Sequence, residues 1–279
     1  MQSWGIDISK FNGAYPIQAA KAEGVKFIIA RIGGADDKKV HFYADSQFNV
    51  TYTTCKELGL PVGAYYLFNA DNLPEAKAEA EHLLRLLAGK KFEYPIALDI
   101  EGTVLTRQSK ESLITCVRLC AQMVEAAGYY VTLYASASPF NNQLNDSRLD
   151  IYDKWVACYS KSKPGLARSI PYGIWQFGGS VNYIRSNRVA GQITDQNYSY
   201  YDYPNIMKEK GLNGYGKDPE PQPTPVEHKC TTCKYCEPLY DSYGSLEGKN
   251  ICCWNIYKND PGVVDVTGND ACGDYEERK

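Results

Sequence analysis

The segment Tyr94-Pro95-Ile96-Ala97-Leu98-Asp99-Ile100-Glu101 decides the fold. Its centre is a short apolar run of strand type. Two carboxylates at the end of such a strand are an expensive insertion, because burying a charge without a partner costs several kcal/mol. Residues i and i+2 of a strand face the same way, so Asp99 and Glu101 share one side, with Cα atoms roughly 6.5 Å apart. Similar runs recur on both sides of this segment. They are Trp4 to Ser9, Phe27 to Arg31, Val62 to Phe68, Val131 to Ser136, Trp155 to Tyr159, Gly173 to Phe177 and Gln192 to Gln196.

Helical patterns fall between several of these strands. Ala76, Ala80, Leu83, Leu84 and Leu87 recur at one-face helical spacing. Asn72 and Glu75 have capping-box spacing, Pro74 fits the first turn and Gly89 fits the stop. Leu113, Val117, Cys120 and Val124 make a second stripe, ended by Gly128. Strands alternating with helices predict an α/β chain with a parallel sheet. About eight strands in roughly 210 residues predict a closed (β/α) barrel, short of helices late in the chain. The competing architecture is an open doubly wound sheet, which ordinarily carries a glycine-rich phosphate loop after its first strand. The first strand here runs Gly5-Ile6-Asp7-Ile8-Ser9-Lys10-Phe11-Asn12-Gly13 without one. No G-x-x-x-x-G-K-[ST] occurs either, so nucleotide chemistry is not indicated.

In a barrel of this class, active sites gather at the C-terminal strand ends. The acidic residues expected there are Asp7 on the first strand, Asp99 and Glu101 on the fourth, and Asp195 ending the last. Like charges so close do not titrate alike, since one pKa is raised. That pairs a protonated acid with an ionised partner, as glycoside hydrolysis requires. D-x-E alone also fits a capped strand end, an internal ion pair with Arg31, or a metal site. Other chemistries have less support. The three His, at 41, 82 and 228, mark no catalytic constellation, and neither G-x-S-x-G nor H-E-x-x-H is present. A net charge of −3 argues against a nucleic-acid partner. No run reaches the ~18–20 apolar residues of a membrane span. Tyr is abundant at 23 residues, and its apolar ring with a polar tip suits sugars as well as ordinary packing.

Several longer stretches are more specific. They are Gly5-Ile6-Asp7-Ile8-Ser9 with Asn12-Gly13, Phe27 to Gly33, Gly63 to Phe68, and Tyr94 to Glu101. Gly128-Tyr129-Tyr130-Val131 with Leu133 to Ser136, Trp155-Val156-Ala157 and Trp175-Gln176-Phe177 follow in order. Together they resemble the glycoside hydrolase family 25 lysozymes, the Chalaropsis-type muramidases of phage endolysins and bacterial autolysins, over roughly Trp4 to Asn213. The resemblance implies a flattened, incomplete (β/α)8-type barrel. It implies cleavage, without cofactor, of the β-1,4 bond from N-acetylmuramic acid to N-acetylglucosamine in peptidoglycan. On the matching positions Glu101 would be the general acid and Asp99 would stabilise the transition state. Asp99 would act either through the substrate's 2-acetamido group or by direct electrostatics. Asp7 and Asp195 match further acidic positions, although the sequence around Asp195 departs from the family pattern. Tyr65, Tyr134, Trp175 and Arg31 would bind substrate. The alternative is a non-catalytic cell-wall glycan-binding protein on the same barrel, against which the intact Asp7, Asp99 and Glu101 set argues.

The division expected is a catalytic barrel over 1–213, a Pro-rich linker over 214–227 and a small Cys-rich module over 228–279. Lys217 to Glu227 carries a proline at every second position from Pro219 to Pro225, which favours an extended, semi-rigid chain. Cys55, Cys116, Cys120 and Cys158 lie in the barrel, where Cys116 and Cys120 share an apolar helix face and read as buried free thiols. Six more crowd the tail: Cys230, Cys233, Cys236, Cys252, Cys253 and Cys272. A module of about 50 residues needs staples to fold. Three disulfides, an iron–sulfur cluster or a structural zinc would each supply them. The zinc reading takes Cys230, Cys233, Cys272 and one of Cys252 or Cys253 as ligands, with Cys236 or His228 able to substitute. A module tethered to a lysozyme points to a wall glycan or to a homo-oligomer as its partner. The tail has six basic and nine acidic residues, so bulk charge does not draw it to acidic wall polymers. Met1-Gln2-Ser3-Trp4-Gly5 shows no secretory pattern. The expectation is synthesis in the cytoplasm and action on the wall after release through a holin-type pore.

Overall fold

The computed structural model describes residues 2–36, 41–216, 236–240, 246–252 and 264–266. The chain divides into two compact units, Met1–Asp218 and Pro219–Lys279. In the first, the strands are β1 (Ser3–Ile8), β2 (Ile28–Ala35), β3 (Phe42–Ala44), β4 (Val62–Leu67), β5 (Ile96–Asp99), β6 (Val131–Ser136), β7 (Asp153–Ala157), β8 (Ile174–Gly178), β9 (Arg188–Val189), β10 (Gln192–Ile193) and β11 (Asp195–Ser199). The helices are α1 (Ile17–Ala22), α2 (Phe48–Glu57), α3 (Leu73–Leu87), α4 (Lys110–Ala126), α5 (Ala137–Asn141) and α6 (Tyr203–Lys210).

The strands close into a ring, which corrects the expectation of an incomplete barrel. The order is β1-β2-β4-β5-β6-β7-β8-β11, and β11 returns to β1. Every neighbouring pair is parallel except the two that involve β11. Strand β11 satisfies the open edges of both β8 and β1, so no backbone edge is left at the seam. An antiparallel return needs no crossover helix. The shortfall therefore lies in the outer helices: between β6 and β11 the helical segments are the five-residue α5 and short 3₁₀ turns. The small strand β3 adds to β2 outside the ring.

Period-two alternation sorts the strand residues between two cores. Ile6, Ile8, Ile28, Ala30, Val62, Ala64, Ile96, Leu98, Val131 and Leu133 face outward, in one cluster with Leu83 and Leu87 of α3 and Val117, Cys120 and Val124 of α4. The helix stripes read from the sequence are the faces buried there. The Asn72 cap also forms, its side chain accepting from the Glu75 N–H at 3.0 Å. Glu75, however, reaches back to the Asp71 N–H rather than to that of Asn72. Inside the ring Phe27, Ile29, Tyr94, Ala97, Trp155 and Ile174 pack with Tyr203 and Met207 of α6. Phe27 and Tyr94 stack at 4.1 Å. Gly5 and Gly63 make room for them, since a Cβ would lie 2.5 Å from the Phe27 ring and 2.7 Å from Tyr94 Cβ respectively. Aromatic groups fill the lower barrel, and the buried polar residues Asp7, Arg31, Asp99, Gln176 and Asn197 occupy its upper end. Cys55, Cys116 and Cys120 are buried free thiols and Cys158 is half-buried.

In the second unit β12 (Cys236–Tyr240), β13 (Leu246–Cys252) and β14 (Val264–Val266) form an antiparallel sheet, with Cys236 opposite Cys252 in register. Of the zinc ligands read from the sequence, Cys252 ends β13, while Cys230, Cys233 and Cys272 lie outside the described residues. The Pro-rich stretch 217–227 also lies outside them. Among the described residues no helix is long and apolar enough to cross a membrane.

Candidate active site

The C-terminal ends of the parallel strands gather four carboxylates. Asp7 comes from β1, Asp99 is the last residue of β5, and Glu101 follows it in extended conformation at the start of the 3₁₀ turn Gly102–Leu105. Asp195 reaches the same rim by another route. The sequence reading ended a strand on it, whereas it begins β11, directly opposite Asp7 in the antiparallel register. Gln192 and Ile193 belong instead to the β9–β10 hairpin. Because β11 runs against its neighbours, its first residue meets their last.

The four carboxyl groups differ in surroundings. Asp7 is 7% exposed, and its Oδ2 accepts from Gln176 Nε2 at 2.9 Å and Asn197 Nδ2 at 2.7 Å. Burial pushes Asp7 up to about 8, with Asp195 adding to the rise and the two amide bonds opposing it. Asp99 is 5% exposed, and among the described residues its Oδ1 has no hydrogen-bond partner. Burial raises Asp99 well above the ordinary range, followed by the charges of Glu101 and Asp7, while Arg31 pulls it back. Glu101 is exposed at the strand ends. The surrounding walls still desolvate its carboxyl enough to raise it, Asp195 raises it further, and Arg31 lowers it. Asp195 accepts from the Tyr159 hydroxyl at 3.0 Å and is raised by burial.

Arg31 is the buried cation nearest this group, at 8% exposure. Its Nε donates to Asp45 Oδ2 at 2.8 Å, so its ion pair is with Asp45 rather than with Asp99 or Glu101. Its Nη2 is buried with no hydrogen-bond partner among the described residues. The guanidinium lies 4.7 Å from the centre of the Phe11 ring and 5.8 Å from that of Tyr43. Phe11 is 81% exposed on a turn held by a Ser9–Asn12 capping box. Phe11 is thus a large apolar side chain standing in solvent beside the Arg31 guanidinium. Among the described residues no group of three or more His, Cys, Asp or Glu could hold a metal ion.

Tyr65 and Tyr134 stand half-buried beneath the carboxylates, their rings edge-on to Trp155 at 6.1 and 4.6 Å. Trp175 is not with them. It is 3% exposed, packs on Phe177 and Tyr198, and donates its indole N–H to the Cys158 carbonyl at 2.9 Å. It pairs in register with Val156, which belongs to the outer core. Alternation therefore turns Gln176 inward and Trp175 outward. Gln176 is the residue that the sequence reading passed over, although it stands between two aromatic residues of one quoted stretch. Its Oε1 accepts from Tyr134 at 2.8 Å and lies 3.2 Å from the Tyr159 hydroxyl, whose single proton also has Asp195 Oδ1 within reach at 3.0 Å, and its Nε2 serves Asp7. Asn197 was missed likewise; its Oδ1 accepts from the Trp155 indole at 2.8 Å. Period-two reading of β8 marks Gln176, but nothing local marks Asn197, Tyr159 or Phe11.

Residues 6–184 match the family model for glycosyl hydrolases family 25. The chain is 28% identical over 191 residues to the autolytic lysozyme of Clostridium acetobutylicum, covering 68% of this chain and 56% of that protein. It thus spans little more than half of that relative's length. The fold is similar to that of the bacterial lysozyme from Streptomyces coelicolor, with a TM-score of 0.62, 21% identity, and coverage of 76% of this chain and 98% of the other. It is also similar to that of the spore cortex lytic enzyme SleM of Clostridium perfringens, with a TM-score of 0.61, 19% identity, and coverage of 71% and 67%. With well over half of its length matched by the family model, the chain belongs to glycosyl hydrolases family 25.

Proposed function

We propose that this chain is a lysozyme that cleaves the β-1,4 bond from N-acetylmuramic acid to N-acetylglucosamine in bacterial peptidoglycan. The observation that carries this reading is the unlike placing of two neighbouring carboxylates: Asp99 is buried with an unmet oxygen, and Glu101 is exposed. Glu101 is the general acid. Its raised affinity for a proton, from desolvation and Asp195, keeps it protonated at a pH where an ordinary carboxyl is ionised. Asp99 is the transition-state stabiliser. In the free protein burial favours the neutral form of Asp99. A substrate acetamido N–H donated to its free oxygen favours the ionised form, which then stabilises positive charge at the sugar. Asp7 and Asp195 complete the acidic rim. Sugar rings lie against Phe11, Tyr65 and Tyr134, and Arg31 Nη2 supplies a buried donor to a substrate oxygen. The Cys-rich unit serves as a wall-binding or oligomerising module that raises local substrate concentration.

Replacing the acid tests the assignment. Glu101→Gln is expected to lower wall-clearing activity about 10²–10⁴-fold with the melting temperature nearly unchanged. Reducing-end analysis of digested walls is expected to expose N-acetylmuramic acid. Full clearing by a folded Glu101→Gln protein, or exposure of N-acetylglucosamine ends instead, overturns the reading.

A further inference from the structure

We propose that Gln176 is a positioning residue of the acidic rim: its carboxamide, oriented by the Tyr134 hydroxyl, holds Asp7 Oδ2 as a pure acceptor and leaves only Oδ1 to carry a proton. The activity readout of this inference rests on the lysozyme reading, but the geometry and the main test do not.

The carboxamide directions are set by their other partners. The Trp155 indole N–H is donor only and points at Asn197 Oδ1 at 2.8 Å, so Asn197 must present its NH₂ to Asp7, at 2.7 Å. Gln176 is 2% exposed, and its Oε1 lies 2.8 Å from the Tyr134 hydroxyl and 3.2 Å from that of Tyr159. Burial holds Tyr134 well above the ordinary tyrosine range, so it keeps its O–H proton and has it available for Gln176 Oε1. Turning the Gln176 amide over would set its oxygen against Asp7 Oδ2 and sacrifice the Nε2 bond at 2.9 Å. Two N–H groups therefore converge on one carboxylate oxygen, and a proton placed there would meet both. Tyr159 stands between the two acidic residues that face each other across β1 and β11, its one hydroxyl proton going to Asp195 Oδ1 or to Gln176 Oε1.

The groups that act on Asp7 come from every side of the rim. Asp195 on β11 and Glu101 beyond β5 disfavour its ionisation, as burial does, whereas the amides of Asn197 and Gln176 favour it. Asp7 in turn raises Asp99 on β5, Tyr65 on β4, Tyr134 on β6 and Tyr159 after β7. Arg31 on β2 is paired with Asp45 and acts on Asp99 and Glu101. Among these groups the two amides alone bond directly to Asp7 in the direction of ionisation. Removing either donor strengthens the hold of Asp7 on its proton.

The test is a carboxyl ¹³C NMR titration of Asp7 in the full chain, wild type beside Gln176→Met and Gln176→Glu. The Met variant keeps the length of the side chain and deletes the donor. The expected result is an Asp7 midpoint raised by about one pH unit or more, with kcat on purified walls lowered at least tenfold and KM within twofold. In Gln176→Glu the donor exists only while Glu is protonated. Activity is therefore expected to recover toward acid pH and to collapse as pH rises, a profile that mere loss of packing does not produce. An unmoved Asp7 midpoint in a folded variant overturns the proposal, as does a moved midpoint with kcat unchanged at every pH in an active enzyme. If Gln176→Met does not fold, the shape-matched Glu variant decides by the same titration. Should wild type cleave no wall, the lysozyme reading fails while the titration still decides the role of Gln176.

Discussion

Asp7 shows how one residue links the site to stability. Its carboxyl is held up to about 8, against 3.8 for the ordinary group, chiefly by burial. Between roughly pH 4 and 8 the folded protein thus keeps a proton that the unfolded chain has released. Stability contributed by that proton is present at low pH and falls as pH rises through the window. Glu79, buried on α3 with both oxygens on the Asn69 N–H, is likewise pushed up to about 8 and adds to the same trend. Asp7→Asn mimics the neutral form, because an amide oxygen can still take both N–H bonds. Calorimetry is expected to show this variant more stable than wild type at pH 8, on the order of 1–3 kcal/mol, and close to wild type at pH 4. An equal difference at both pH values would contradict the account. Activity is expected to fall in the same protein, since a buried ionisable group is stability given up for chemistry.

At the scale of elements, the direction of β11 is decisive. Strand β11 brings Asp195 to the rim by its beginning, where a parallel strand would have brought a residue by its end. The residue after β8 must then leave space. A Cβ on Gly179 would lie 1.9 Å from Asp195 Oδ1 and 3.3 Å from the Tyr159 hydroxyl. Gly179→Ala therefore displaces the Asp195 carboxylate and breaks its bond to Tyr159. Wall-clearing is expected to drop about 10–100-fold, because small misplacements of this kind are costly at an active site. The melting temperature should move little, since Asp195 is only half-buried. A drop in melting temperature that accounts for the lost activity would refute this reading.

For the molecule as a whole, the barrel carries its own core. Closure by β11 and the plug of Tyr203 and Met207 from α6 lie within Met1–Asp218. A chain ending at Asp218 is expected to melt cooperatively, with its barrel intact by near-ultraviolet circular dichroism. If the Cys-rich unit binds the wall, the shortened chain keeps kcat on soluble glycan fragments and loses activity on whole walls, about tenfold or more. Loss of cooperative melting in the shortened chain would show that the barrel depends on the remainder. Much of this architecture was legible in the sequence. Apolar runs located every strand of the ring to within a few residues, and helical stripes located α3 and α4. The pattern fails at the seam, where it reads Gln192 to Gln196 as one strand, and the incomplete barrel came from the family resemblance rather than from the strand count. Strand direction and pairing partners are non-local, so no periodicity encodes them.

The sequence by itself determined the alternation of strands and helices, the acidic strand ends and, through ordered motifs, the family. These are local properties: hydrophobic period, turn residues and the improbability of unpaired carboxylates in apolar strands. Only the tertiary structure decided what surrounds each carboxyl. It placed Trp175 in the outer wall and Gln176 in the site, gave Arg31 to Asp45, stood Phe11 in solvent and set Asp195 opposite Asp7. Each of these depends on groups brought together from distant parts of the chain, and burial and charge at such a meeting point are set by the assembled barrel.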